Sequence, residues 1–127
     1  MKLTFLGTGT STGVPSIGCE CETRISDDPR DKRLRVSIII EQAGRTVLVD
    51  TSADFRQQAL RFGLKQLDAV LITHCHADHI FGLDDIRPLN FRFARLVFTR
   101  TNARGSISNA SSSTSLSRRI LAAVCRK

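Results

Sequence analysis

Apolar and polar positions alternate over residues 2–6, Lys-Leu-Thr-Phe-Leu, which predicts a first β-strand. The alternation stops at Gly7-Thr8-Gly9-Thr10-Ser11-Thr12-Gly13-Val14-Pro15, a loop of glycines and hydroxyls. Residues 24–35 are polar and charged, with Asp27-Asp28-Pro29 as a turn signal, and are expected to form a loop. Val36, Ile38 and Ile40 then share one face of a second strand, and Thr46-Val47-Leu48-Val49 form a third. Gln42-Ala43-Gly44-Arg45 is the hairpin turn between them. Asp54 is positioned as a helix N-cap, Phe55, Ala59 and Phe62 follow at helical spacing, and Gly63 is the stop. Asp68-Ala69-Val70-Leu71-Ile72-Thr73 is an apolar run of strand length. Residues 80–89 are expected to be a short helix or turn, interrupted by Gly82 and stopped near Pro88.

From Val97 the pattern changes. Seven serines fall between Ser106 and Ser117, and the stretch reads as linker or disorder, with one short helix possible at its end. The charge changes there too. The 127-residue chain carries a net charge of +7, but residues 1–96 hold 13 Lys/Arg and all 12 Asp/Glu, about +1. Residues 97–127 hold six basic residues and no acid. The pI therefore does not mark the globular part as a nucleic-acid binder. A non-catalytic alternative remains, in which the basic tail binds RNA or another polyanion, although Phe98 is its only aromatic. No apolar run reaches membrane-spanning length, and the N-terminus is too short and too soon glycine-rich for a signal peptide, so the expected compartment is the cytoplasm.

All three histidines lie in Thr73-His74-Cys75-His76-Ala77-Asp78-His79, directly after the apolar strand. Neutral imidazole and carboxylate are both good zinc ligands. His74 and His76 alternate about Cys75, so in an extended segment they point the same way and can grip one ion. Asp78 and His79 follow after a turn and can face a second. Cys19 and Cys21 are too close to pair comfortably, and a cytoplasmic setting disfavours disulfides. A metal role or a pair of inert thiols is left for them.

The order His74-x-His76-x-Asp78-His79 resembles the H-x-H-x-D-H signature of the metallo-β-lactamase superfamily. Leu3-Thr4-Phe5-Leu6-Gly7-Thr8-Gly9-Thr10-Ser11, Gly13-Val14-Pro15 and Gly18-Cys19-Glu20-Cys21 resemble its phosphodiesterase branch, near the phosphoribosyl 1,2-cyclic phosphodiesterases and, more distantly, ribonuclease Z. Val47-Leu48-Val49-Asp50-Thr51 is similar to the strand that precedes the metal strand there. The resemblance covers residues 1–96. It implies an α/β fold, the N-terminal half of an αββα sandwich, with 97–127 as a tail outside the family.

The resemblance further implies a site for two divalent metal ions, zinc or manganese, that hydrolyses a phosphoester, a small molecule being favoured over nucleic acid. His74 and His76 would ligate the first metal, and Asp78 and His79 the second. Asp78 would also be catalytic, orienting the metal-bound hydroxide that attacks. Asp50 would orient a metal-bound histidine or be an ordinary strand-end aspartate. The Thr8–Thr12 loop would approach the substrate or be a plain turn. Thioester or lactam hydrolysis is the alternative chemistry within the superfamily.

The chain also departs from the family pattern. Arg24 stands where a third cysteine of a structural zinc site would be, so no structural zinc is expected at Cys19 and Cys21. No histidine follows His79, and the only later acids are Asp84 and Asp85. The chain is therefore expected to be truncated and inactive alone. Codons for residues 97–104 can read Val-Tyr-Ala-Asn-Glu-Arg in a shifted frame, so a frameshift is the expected origin of the tail.

Overall fold

The computed structural model describes residues 1–92, 97–101 and 107–111. Its frame is a six-stranded sheet in the order β1-β2-β3-β4-β5-β6. β1 (Lys2–Gly7), β2 (Ser37–Gln42) and β3 (Arg45–Val49) form an antiparallel meander. The β2–β3 turn is Ala43-Gly44, both at positive φ (50° and 74°), the conformation that matches the twist of a two-residue hairpin. β4 (Ala69–Ile72) is parallel to β3 and β5 (Val97–Thr101) is parallel to β4, while β6 (Ile107–Ser111) returns antiparallel. Val97–Thr101 and Ile107–Ser111, expected to be linker or disorder, are thus strands of the same sheet. Residues 102–106 and 112–127, which complete that expected tail, lie outside the described residues.

α2 (Phe55–Phe62) crosses one face of the sheet. Its stop is the expected one: Gly63 sits at φ 73°, and the N–H groups of Gly63 and Leu64 donate to the carbonyls of Leu60 and Ala59. Its start differs. Asp54 occupies the N-cap position but makes no capping bond. Its carboxylate instead accepts from the Arg35 backbone N–H at 2.9 Å and from Arg35 Nη1 at 2.8 Å. A partly buried guanidinium is a stronger donor than a helix amide, so the charged partner takes the carboxylate.

The segment before β2 is more ordered than a plain loop. It contains α1 (Glu22–Ile25) and a 3₁₀ turn at Pro29–Asp31, capped by Asp28 accepting from Arg30 N–H at 2.9 Å. After β4 come α3 (Ala77–Ile80), a 3₁₀ segment Phe81–Ile86 and α4 (Arg87–Arg92). Pro88 lies in the first turn of α4 and does not stop the helix there, because the first-turn N–H has no intrahelical partner to lose.

The register assigns the faces. Thr4, Ile39, Leu48 and Val70 are directly paired and point to the helical side. Ile39, Leu48 and Val70 are fully buried there with Phe55, Ile72, Leu83 and Ile86. Each such side chain contributes roughly 1.5–3 kcal/mol by leaving water. Gly82 brings the 3₁₀ segment onto α2: a Cβ on it would lie 2.6 Å from Phe55 Cβ and closer still to the Ser52 carbonyl. The opposite face is also apolar. Phe5, Ile38, Val49 and Leu71 are paired across it, with Leu3, Ile40 and Val47 alongside. Phe5 is 61% exposed and Leu3 47%. A sheet apolar on both faces is made to be covered on both.

Among the described residues no helix is long and apolar enough to cross a membrane. Cys19 and Cys21, expected to stay unpaired, are joined by a disulfide. Gly18 at φ 80° and the Cys19 N–H to Ser16 carbonyl bond shape the turn before them, and their Cα atoms stand 5.6 Å apart, within ordinary disulfide range. Cys75 is free and exposed.

Candidate metal centre

β1 and β3 are both antiparallel to β2, and β4 runs with β3. The chain therefore leaves Gly7, Val49 and Ile72 at the same edge of the sheet. Loops at the C-terminal ends of parallel strands are where rigid backbone meets open space. Asp50 and Thr73–His76 sit at this edge, and α3 carries Asp78 and His79 back to it.

Asp50 organises the cluster. It is buried and adopts φ 59°, a left-handed conformation that Asp tolerates better than most residues. Its N–H continues the β3–β4 pairing by donating to the Leu71 carbonyl at 2.9 Å. One carboxylate oxygen accepts from Thr73 N–H at 2.8 Å. The other accepts from Thr73 Oγ1 at 2.7 Å and from His79 Nδ1 at 2.8 Å. The next residue holds His79 by its backbone: Thr51 N–H donates to the His79 carbonyl at 2.8 Å. Gly82 N–H donates to the Thr51 carbonyl at 3.0 Å, so β3, α3 and the 3₁₀ segment meet at one point.

Proton bookkeeping fixes two of the rings. The Asp50 carboxylate accepts, so His79 Nδ1 carries a proton, and in the neutral ring Nε2 keeps a lone pair. Thr73 Oγ1 has one proton and gives it to Asp50. At 3.0 Å from His74 Nδ1 it must accept, so His74 also holds its proton on Nδ1 and presents a bare Nε2. That Nε2 stands 3.2 Å from His76 Nδ1, and His79 Nε2 stands 3.3 Å from an Asp78 oxygen. The rings of His74 and His79 are 4.0 Å apart, and those of His74 and His76 are 4.6 Å apart.

These separations suit a metal. Zinc–nitrogen bonds of about 2.0–2.1 Å in a tetrahedron set neighbouring donors about 3.3 Å apart. The pairs His74–His76 and Asp78–His79 each match one such edge. Among the described residues no group of three or more His, Cys, Asp or Glu is arranged about a single point as a closed site requires. The donors fit as two pairs.

All four expected ligands are thus at one edge. His74 and His76 are exposed, while His79 and Asp78 are only 14% and 20% exposed in their side chains. Asp50 bonds a histidine as the orienting alternative anticipated. Thr73, which ties Asp50 to His74, had no signal beyond being the last residue of an apolar strand. The Thr8–Thr12 loop begins at the same edge, and two of its hydroxyls are engaged locally: Thr12 Oγ1 lies 3.1 Å from Thr10 Oγ1 and 3.0 Å from Ser16 Oγ. Arg35 Nε pins the loop by donating to the Ser11 carbonyl at 2.7 Å.

The sequence of residues 30–90 matches the family profile of the metallo-beta-lactamase superfamily, and this segment contains the whole edge cluster. An octanoyltransferase of Porphyromonas gingivalis is 50% identical over 108 residues, 84% of this chain and 22% of that protein. A ribonuclease Z of Bradyrhizobium diazoefficiens is 35% identical over 83 residues, 64% of this chain and 22% of that protein. Among solved structures, a diphosphatase of the PhnP family superposes with a TM-score of 0.75 at 46% identity, over 97% of this chain and 45% of that one. The chain thus spans about a fifth of the length of these curated relatives and under half of that solved one. The mixed α/β sheet is a metallo-beta-lactamase fold in part.

Proposed function

We propose that this chain carries the histidine–aspartate half of a metal-dependent hydrolase centre whose substrate is a phosphoester. His74 and His76 are the ligands of one divalent ion, and Asp78 and His79 of a second. Bound zinc or manganese would lower the pKa of water and offset charge on the phosphoryl oxygens. The protein's own residues do the positioning. Asp50 holds the proton on His79 Nδ1 and, through Thr73, on His74 Nδ1, so both rings keep Nε2 bare. This bookkeeping is the single observation that carries the proposal: two imidazoles held in the ligand tautomer by one buried carboxylate make a prepared donor set. Asp78 has one oxygen beside His79, and the other would hold the attacking water by a hydrogen bond. It is the proposed catalytic residue.

A phosphoester is favoured over a thioester or lactam because two of the similar proteins are named a ribonuclease and a diphosphatase. The octanoyltransferase name describes a protein of which the matched stretch is about a fifth, and acyl transfer is not carried over. The test is a chimera in which this chain replaces its matching stretch of the PhnP-family diphosphatase, loaded with zinc or manganese. Cleavage of bis-p-nitrophenyl phosphate, lost on Asp78→Ala, supports the proposal. Cleavage of a thioester alone, or phosphodiester cleavage that survives Asp78→Ala, overturns it.

A further inference from the structure

The sheet has two apolar faces, and the described helices fill one of them. Leu3 and Phe5 of β1, Ile38 and Ile40 of β2, Val47 and Val49 of β3 and Leu71 of β4 share the other by register. The core formed with α2, α3 and the 3₁₀ segment lies on the opposite side. Leu3 and Phe5 are exposed and the other five are half-buried. None of these side chains is charged. Lys2 and Glu41, paired at 3.0 Å, fall on the helical side. Arg45 has the parity of the open face only at the β2–β3 turn, the end away from the histidines. A second incompleteness sits at the histidine edge. The His74–His76 and Asp78–His79 pairs each span one edge of a tetrahedron, and among the described residues no group of three or more donors closes about one point.

We propose that a second copy of this chain docks on the open face, sheet against sheet, with the two histidine edges at the same end so that metal ions take donor pairs from both chains. An apolar sheet face is buried when another sheet packs about 10 Å away with strands within about 30° of its own. A two-fold axis along the strands gives that packing. The contact is then isologous, the same patch meeting itself, and growth stops at two chains. Charge points to a copy. The chain carries +7, so self-association is opposed wherever its cations would meet, and this uncharged face is a place where they do not. Magnitude then separates the two contacts. Four strands about 4.8 Å apart, about five residues long at about 3.3 Å each, make a face of roughly 300 Å² in plan. Two copies bury roughly 600 Å², below the about 1,200 Å² at which stable complexes begin. The faces alone therefore hold a weak, reversible dimer. A pair from each chain makes the four donors that zinc takes, and this tightens it. The zinc part rests on the metal-centre reading above, and the docking of the faces does not.

The test is sedimentation equilibrium of the full 127-residue chain over the micromolar range, first in chelator and then with zinc alone. In chelator the mass is expected to rise reversibly with concentration from the 14.0 kDa of one chain to twice that, and no further. In dilute solution the face is free and takes the dye ANS, and the signal per chain falls as the dimer forms. Leu3→Ser with Phe5→Ser is expected to weaken the dimer at least about tenfold. Folding should survive, because both side chains are exposed in the single chain. Zinc is expected to tighten the parent dimer at least about tenfold, and His74→Ala to remove that gain while leaving the dimer in chelator. A single mass in chelator and in zinc overturns the proposal, whether residues 112–127 or nothing covers the face. If His74→Ala still weakens zinc binding in that monomer, the metal-centre reading stands without the dimer. A dimer unchanged in the double serine variant, with folding verified by circular dichroism, also overturns the proposal, as does one that zinc does not tighten. Zinc bound equally by His74→Ala overturns both the shared ions and the reading they rest on.

Discussion

Replacing Asp50 with asparagine isolates the carboxylate from its surroundings. Asparagine has the same size and tolerates the left-handed backbone at φ 59° as well as aspartate does, so the backbone is not the variable. Its remaining oxygen can still accept from Thr73 N–H. The oxygen that becomes an amide nitrogen is the one that accepts from both Thr73 Oγ1 and His79 Nδ1. Two hydrogen bonds to a charged group, each worth roughly 1.5–3 kcal/mol, are lost at a buried site. The new amide recovers part by donating to His79 once that ring moves its proton to Nε2. A net loss of about 2 kcal/mol is expected, or about 8 °C in Tm for a chain of this size. The tautomer change has its own signature, because a protonated Nε2 cannot ligate: zinc affinity should fall about 10- to 100-fold. Urea unfolding in chelator reads the first effect, and zinc competition against a chromophoric chelator reads the second. A stability within about 0.5 kcal/mol of the parent, with zinc affinity unchanged, would refute the account of Asp50.

Three further outcomes follow from the packing. Gly82→Ala should destabilise by roughly 2–4 kcal/mol in chemical denaturation, because its Cβ would press on the Ser52 carbonyl and Phe55, both held in place; a neutral effect would mean that the 3₁₀ segment does not sit on α2. Leu48→Ala, at a fully buried position in the middle of the sheet, should cost about 2–5 kcal/mol by the same measurement. The open sheet face should bind the dye ANS, and Phe5→Ser with Leu3→Ser should reduce the fluorescence with little loss of stability, since both side chains are already exposed; a chain that leaves the dye dark has that face covered.

The strands were legible because alternation and β-branched residues mark them whatever they pack against. Which face became the core was not. Val36–Ile40 is apolar on both sides, and only α2 and the 3₁₀ segment, arriving from later in the chain, make Ile39 the buried position while leaving Ile38 and Ile40 half-covered. Local signals located helix ends but not their chemistry. Asp54 is where an N-cap should be, yet its partner is Arg35, 19 residues earlier. Pro88 reads as a breaker and sits in a first turn, a difference of register that propensity does not resolve. The histidine cluster was legible from spacing, since H-x-H in an extended stretch sets two rings on one side. The link that holds the rings was half legible: Asp50 was a candidate, while Thr73 was hidden as one more residue of an apolar strand. In the tail, serine content and missing acids argued for disorder, but strand pairing at Val97–Thr101 is set by the edge that β4 offers, which composition does not register.

Zinc binding by equilibrium dialysis, on the parent chain and on His74→Ala, His79→Ala and Cys75→Ser, tests the central claim most directly. The account predicts saturable binding that each histidine substitution weakens at least about tenfold and that Cys75→Ser leaves alone, because the donors are the bare ring nitrogens and not the exposed thiol. Zinc binding of equal strength in the parent and both histidine variants, or none in the parent, would contradict it.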